Sequence, residues 1–304
     1  MTTQDSADFI PQIRQLKKDL GAVILAHNYQ VPDIYDVADF IGDSLELARQ
    51  AQGTKARLII FSGVRFMAET AKLLNPEARV VLARADAGCE MAKMITAEAL
   101  KLKQRELGSV YTVAYVNTPA DVKAEVDICC TSSNAVKVVQ SVPEGRRILF
   151  VPDENLAAWV SRETGRELIP WPGFCYVHAG FRPEDVRRAR EEHPGALIVV
   201  HPECRLNVIE VADRVASTSG MLKLAADHHE LVLGTEIGMC HRVRREYPDR
   251  LCYPLGRTAV CRNMKLTRLG DVLQALQGNV PEITIPDDIA VRARTALERM
   301  TAIN

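Results

Sequence analysis

The chain has 304 residues, 47% of them apolar and 25% charged, with 38 basic residues against 39 acidic ones. A net charge of −1 leaves no overall field to draw nucleic acid or a membrane surface, and no apolar run approaches the roughly 18–20 residues that span a bilayer. The start, MTTQDSADFIPQ, lacks the apolar core of a secretion signal, so the expected setting is cytoplasmic, with the cysteines as reduced thiols or metal ligands. Residues 1–20 read as a leader helix through Ile10, Ile13, Leu16 and Leu20. A short apolar strand is predicted at 23–26, then a helix over 36–52 that stops at Gly53. Strands at 58–61 and 80–82 flank a helix at 66–74, and the loop after them carries Cys89.

The same order then recurs. The second stretch gives a strand at 113–116, a helix at 133–140, a strand at 148–151, a helix at 156–162, a segment at 168–171, and Cys175. The third gives a strand at 197–200, a helix at 221–228, a strand at 231–233, a helix at 237–247, a strand at 251–253, and Cys261. Helices at 269–276 and from Asp287 or Asp288 form a tail expected to pack back on the body, against one unit. Strands alternating with helices predict parallel sheets covered on both faces. The expected fold is α/β: three pseudo-symmetric three-layer α/β/α units around a central active site. The expected bounds are 1–105, 106–190 and 191–267, with the tail at 268–304.

The recurrence has a fixed register. Cys89, Cys175 and Cys261 are 86 residues apart, 175 − 89 and 261 − 175. His27 and Tyr29, Tyr115 and Asn117, and His201 and Glu203 each follow a predicted first strand. The hydroxyl clusters GDS, TSS and STSG contain Ser44, Ser132 and Thr218, which precede their cysteines by 45, 43 and 43 residues. Ligands of open parallel sheets bind beyond the carboxyl ends of the strands, so these groups would share one cavity. Helix starts favour anions, which points to small, multiply anionic ligands. Taken singly, a serine there is usually only a cap and a histidine usually structural; recurrence in register is what favours a site.

Cys129, Cys130, Cys204, Cys240 and Cys252 read as small apolar residues. The three equally spaced thiols suit zinc or an iron–sulfur cluster. The chain has no Cys-x-x-Cys, the usual source of structural zinc ligands. Three thiolates on a four-iron cluster would leave one iron open as a Lewis acid. Two other readings stay open at this point. One is a zinc-dependent lyase or hydrolase on the same thiolates, with His201 as an added ligand. The other is an iron–sulfur sensor or scaffold, which has no need of so dense a polar lining.

The residues also carry a family resemblance. AHNYQ at 26–30, GDSLELA at 42–48, AGCEMA at 87–92, YVNT at 115–118 and DICCTSSNAVKVV at 127–139 are followed by PDENL, WPGFCYVH, HPEC, STSGM, GTEIG and CRNMK. In these ordered motifs the chain resembles, nearly from end to end, the A-type quinolinate synthases of de novo NAD biosynthesis. The resemblance implies three α/β/α units that each give one cysteine, Cys89, Cys175 and Cys261, to a [4Fe–4S] cluster. It implies condensation of iminoaspartate (iminosuccinate) with dihydroxyacetone phosphate to quinolinate, phosphate and water. His27, Ser44, Tyr115, Asn117, Ser132, His201, Glu203, Ser217 and Thr218 would bind substrate, with Ser217 and Thr218 holding an anionic group. Tyr29 and Glu203 would transfer protons, with His201 and His178 as further carriers. Small-molecule substrates are the expected partners, with coupling to an L-aspartate oxidase or dehydrogenase, in a monomer or homodimer. Some relatives carry a redox Cys-x-x-Cys near the last ligand; here Arg-Asn-Met-Lys follows Cys261, so no disulfide switch is expected there.

Overall fold

The apolar runs become the strands of three parallel sheets. The first sheet holds β1 (Ala22–His27), β2 (Phe40–Gly42), β3 (Leu58–Ser62) and β4 (Arg79–Leu82), in the spatial order β2-β1-β3-β4. The second holds β5 (Tyr111–Tyr115), β6 (Ile128–Cys130), β7 (Ile148–Val151) and β8 (Leu168–Pro170), ordered β6-β5-β7-β8. The third holds β9 (Leu197–Val200), β10 (Arg214–Val215), β11 (Glu230–Gly234) and β12 (Leu251–Pro254), ordered β10-β9-β11-β12. The structure is a computed structural model and describes residues 3–256 and 259–303. The predicted α/β class, with three units built on parallel sheets, is the observed one.

Both faces of each sheet are covered, which is why the strands read as continuous apolar runs. All five residues of β3 are buried. The largest core runs through all three sheets and includes Phe61, Val113, Phe150 and Leu231. Smaller cores lie under the outer faces of the first sheet, around Ile24 and Leu273, and of the third, around Ile198 and Phe181. The interior is therefore continuous across the units. Among the described residues, no helix is long and apolar enough to cross a membrane.

Three findings depart from the sequence reading. The helix expected over 36–52 is broken: Phe40–Gly42 pairs with Leu25–His27 as edge strand β2, and the helix starts only at Ser44. An aspartate pins that strand. Asp39 accepts the Ile24 N–H at 2.8 Å, and the same bond recurs from Thr112 to Asp127 at 2.7 Å and from Ile198 to Asp213 at 2.8 Å. Each aspartate immediately precedes an edge strand, so a carboxylate sets the register of segments too short to set their own. Second, the tail contacts two units. Helix Leu269–Leu276 lies against the leader helix Thr3–Leu20, while helix Asp287–Ala302 packs on β6 and on helix Arg65–Leu74. Third, strands β6 and β10 and helices Ala97–Leu107 and Pro183–Glu192 were not foreseen. The first two positions of the expected leader helix lie outside the described residues.

A candidate active site at the junction of the three units

In each sheet the chain reverses direction between its first and third strands, the crevice where ligands of such folds bind. The three crevices open onto one cavity. His27, Tyr29, Ser44, Cys89, Tyr115, Asn117, Ser132, Cys175, His178, His201, Glu203, Thr218 and Cys261 all line it. Of the predicted site residues, only Ser217 is set back. It caps helix Thr218–Asp227 by accepting the Gly220 N–H at 3.3 Å, and it bonds Ser133 at 3.0 Å. The cavity offers about 80 Å³ to the centres of water-sized molecules, far above the ~10–15 Å³ a single water needs, so it suits a small metabolite.

The three cysteine loops share one construction. Burial pushes the Cys89 thiol up to about 12 and raises those of Cys175 and Cys261. Cys89 and Cys175 are raised further by neighbouring thiols of the same set, so the three lie close enough to sense one another. Against this, backbone N–H groups two or three residues on point at each sulfur: Met91 and Ala92 at Cys89, His178 at Cys175, Asn263 and Met264 at Cys261. Such bonds favour thiolate. The arrangement offers three sulfurs prepared for negative charge, and they stay protonated unless a cation joins them.

Beside the thiols runs a buried polar chain. The Tyr29 hydroxyl meets Thr235 Oγ1 at 2.5 Å, and His178 Nε2 meets the same oxygen at 2.9 Å. His178 Nδ1 lies 2.7 Å from Glu203 Oε2, and His201 Nδ1 lies 3.1 Å from it. The His178 and His201 rings stack at 4.4 Å. Burial works against charge on Glu203, but the two imidazoles overcome it and hold the carboxyl below the usual range. The His178–Glu203 contact is close but poorly aligned. His178 Nδ1 and Glu203 Oε1 are left without a hydrogen-bond partner, as is Asn117 Oδ1. These are buried polar atoms at a cavity wall, free for a ligand.

His27 accepts the Tyr29 N–H on Nδ1 at 3.2 Å, which puts its proton on Nε2. Burial lowers its pKa to about 4, so at neutral pH it is an uncharged donor. His201 is lowered too, first by burial and then by His178. Burial raises the Tyr29 and Tyr115 phenols well above their ordinary value, so both keep their protons. Among the described residues no lysine or arginine lines the cavity. An anion there meets neutral donors and the starts of helices Ser44–Gly53 and Thr218–Asp227, beside the carboxyl groups of Asp43, Glu90, Glu203 and Glu236, which also line the cavity. Asp43 caps the first of these helices and also accepts from Ser133 at 2.5 Å and Ser219 at 2.6 Å, joining the three units.

Sequence reasoning missed Thr235, Asp43 and Glu236. Thr235 and Glu236 lie inside the GTEIG motif, which was noticed but given no role. One triple of donor atoms among the described residues, Cys175, His178 and Glu203, lies within 4.8 Å and would accept a metal ion.

The chain is also similar in sequence to known proteins. Residues 11–302 match the family model described as quinolinate synthetase A protein. A quinolinate synthase of Desulforudis audaxviator is 51% identical over 300 residues, covering 98% of this chain and 99% of that protein. Those of Methanoregula boonei and Thermodesulfovibrio yellowstonii are 50% and 48% identical, covering 98% and 97% of this chain and 99% and 98% of theirs. A match over nearly every residue, at this identity, means that the chain belongs to the quinolinate synthetase A family.

Proposed function

We propose that the protein is a quinolinate synthase that condenses iminoaspartate with dihydroxyacetone phosphate, giving quinolinate, inorganic phosphate and two waters. The observation that carries this reading is the convergence of three similarly built thiol loops on one cavity that also holds His27, Tyr29, Asn117, His201 and Glu203. The donor set fits a [4Fe–4S] cluster held by Cys89, Cys175 and Cys261. A single zinc with sulfur ligands at about 2.3 Å brings two sulfurs within about 3.8 Å of each other. Among the described residues, the three sulfurs do not form a group within 4.8 Å. Ligands to three different irons stand further apart. When bound, such a cluster supplies a Lewis acid at its open iron, suited to a hydroxyl or carboxylate.

The chain's own residues divide the remaining work. Ser44, Ser132 and Thr218 donate hydroxyls to the phosphate at the two helix starts. Ser217 acts through the helix it caps. His27 and His201 donate from uncharged rings to carboxylate or carbonyl oxygens, and Asn117 orients the ligand. Glu203, held ionised, is the base. Tyr29, held protonated, is the acid. Thr235 and His178 connect the two, so a proton taken at one end is replaced at the other. The buried site keeps water away from a hydrolysable imine.

The close Cys175–His178–Glu203 triple favours a second reading, a zinc-dependent lyase or hydrolase. Against it, that triple uses only one of the three cavity thiols and leaves Cys89 and Cys261 without a role. Metal analysis of anaerobically purified protein separates the two. The proposal expects iron and acid-labile sulfide, about four of each, lost in Cys175→Ser, together with quinolinate formation. Stoichiometric zinc without sulfide, and no quinolinate, would overturn it.

A further inference from the structure

Two buried carboxylates, Asp153 and Glu236, occupy equivalent positions in two of the three units. Each stands two residues beyond its strand, Asp153 after β7 and Glu236 after β11. The corresponding residue after β3 is Val64. All three are buried. Asp153 Oδ2 accepts the Cys175 N–H at 3.2 Å, while its Oδ1 accepts the Leu156 N–H at 2.7 Å. Glu236 Oε1 accepts the Cys261 N–H at 3.3 Å. Its Oε2 accepts the Gly238 N–H at 2.7 Å and the Lys265 ammonium at 2.9 Å. Lys265 also donates to the Tyr29 carbonyl, tying this loop to the first unit.

In other respects the three loops are tied alike. The N–H groups of Arg65, Glu154 and Ile237 donate to Ala87, Gly173 and Ala259, each two residues before a cysteine, at 2.9, 2.8 and 2.8 Å. The units therefore differ at the cysteine amide: the second and third clamp it with a carboxylate, and Val64 offers the first no acceptor. Both oxygens of each carboxylate accept, so an amide side chain would turn a donor toward an N–H. A buried carboxylate is costly to maintain, and a cap alone needs only one of its oxygens.

We propose that Asp153 and Glu236 are positioning residues that hold the Cys175 and Cys261 loops in ligand-ready form, leaving the Cys89 loop as the leg held least firmly. The assignment rests on the cluster reading above, but its first test does not. In full-length protein stripped of metal, amide exchange at Cys175 and Cys261 is slower than at Cys89. Asp153→Asn speeds exchange at Cys175 by about tenfold, the factor one buried hydrogen bond supplies, and leaves Cys261 unchanged. Glu236→Gln does the reverse. After reloading with ferrous iron and sulfide under argon, each variant releases iron to a chelator about tenfold faster than the unaltered protein. Each also shows a shifted reduction potential, because the polar group that holds the cysteine amide beside the bound group has changed.

Equal exchange at all three cysteine amides of the unaltered protein would overturn the proposal, and needs no variant to fold. So would variants that keep the unaltered exchange, release rate and potential. If the unaltered chain takes up no iron–sulfur yet exchanges in the expected pattern, the cluster reading fails and the anchoring of the two loops stands.

Discussion

Replacing Thr235 by valine tests the buried chain between Tyr29 and Glu203. Thr235 is 1% exposed, and its hydroxyl is the contact shared by the Tyr29 phenol at 2.5 Å and His178 Nε2 at 2.9 Å. Valine keeps the shape, so the change removes one oxygen and opens no space. Two buried polar groups then lose their partner, at about 1–3 kcal/mol each. The sum, about 2–6 kcal/mol, is a large part of a typical stability of roughly 5–15 kcal/mol. At about 2 °C per kcal/mol for a chain of this size, the melting temperature falls by roughly 4–12 °C. The double variant Tyr29→Phe/Thr235→Val lacks one of the two orphans and recovers about 1–3 kcal/mol, a coupling that a double-mutant cycle reads directly. Quinolinate formation by Thr235→Val falls by about 10²–10⁴-fold, as for loss of a proton-transfer group. A single variant that melts within a degree of the unaltered protein, or strictly additive effects in the cycle, would refute the reasoning whatever the activity.

Glu203→Gln lowers turnover by about 10²–10⁴-fold with iron and sulfide content unchanged, measured as quinolinate formed per loaded enzyme. His27, buried and lowered from 6.5 to about 4, binds its proton more readily in the unfolded chain. Its contribution to stability is therefore present above pH 6.5 and is lost as pH falls toward 4. The loss reaches about 2 kcal/mol at pH 5, and urea unfolding at pH 7 and pH 5 shows a smaller drop for His27→Gln than for the unaltered chain. Gly238→Ala sets a methyl 2.7 Å from Glu236 Oε2 and 2.8 Å from the Tyr29 Cα, which cannot both yield. It costs about 1–3 kcal/mol in urea unfolding and lowers activity by displacing Tyr29.

The long strands and the cysteines were legible because each signals itself locally. β7 and β9 are runs of four apolar residues, found at their exact bounds from composition alone. The edge strands β2 and β10 were not, because Phe40–Gly42 and Arg214–Val215 owe their state to a neighbour and to Asp39 and Asp213, not to their own pattern. Phe40 and Ile41 therefore read as part of a helical stripe. At the site, residues that follow first strands were recoverable by recurrence, whereas Thr235 acts through a contact with Tyr29, 206 positions away. The inward set of Ser44, Ser132 and Thr218 was foreseen, but not that Ser217 would face its own helix. Which hydroxyl of a cluster points inward depends on where the helix begins, and boundaries are the weakest part of any reading of sequence.

The threefold arrangement has a consequence for the kind of ligand it suits. A ring of three identical subunits would present three copies of one group wherever its axis met a cavity. Here the copies are joined in one chain, and equivalent positions have diverged: His27, Tyr115 and His201 at one, Tyr29, Asn117 and Glu203 at the next. The backbone keeps the directions of approach that symmetry provides, while phenol, amide and carboxylate each occupy a separate corner. A lopsided molecule, with carboxylates on one side and a phosphate on the other, can then lie in one orientation where a true trimer would offer three.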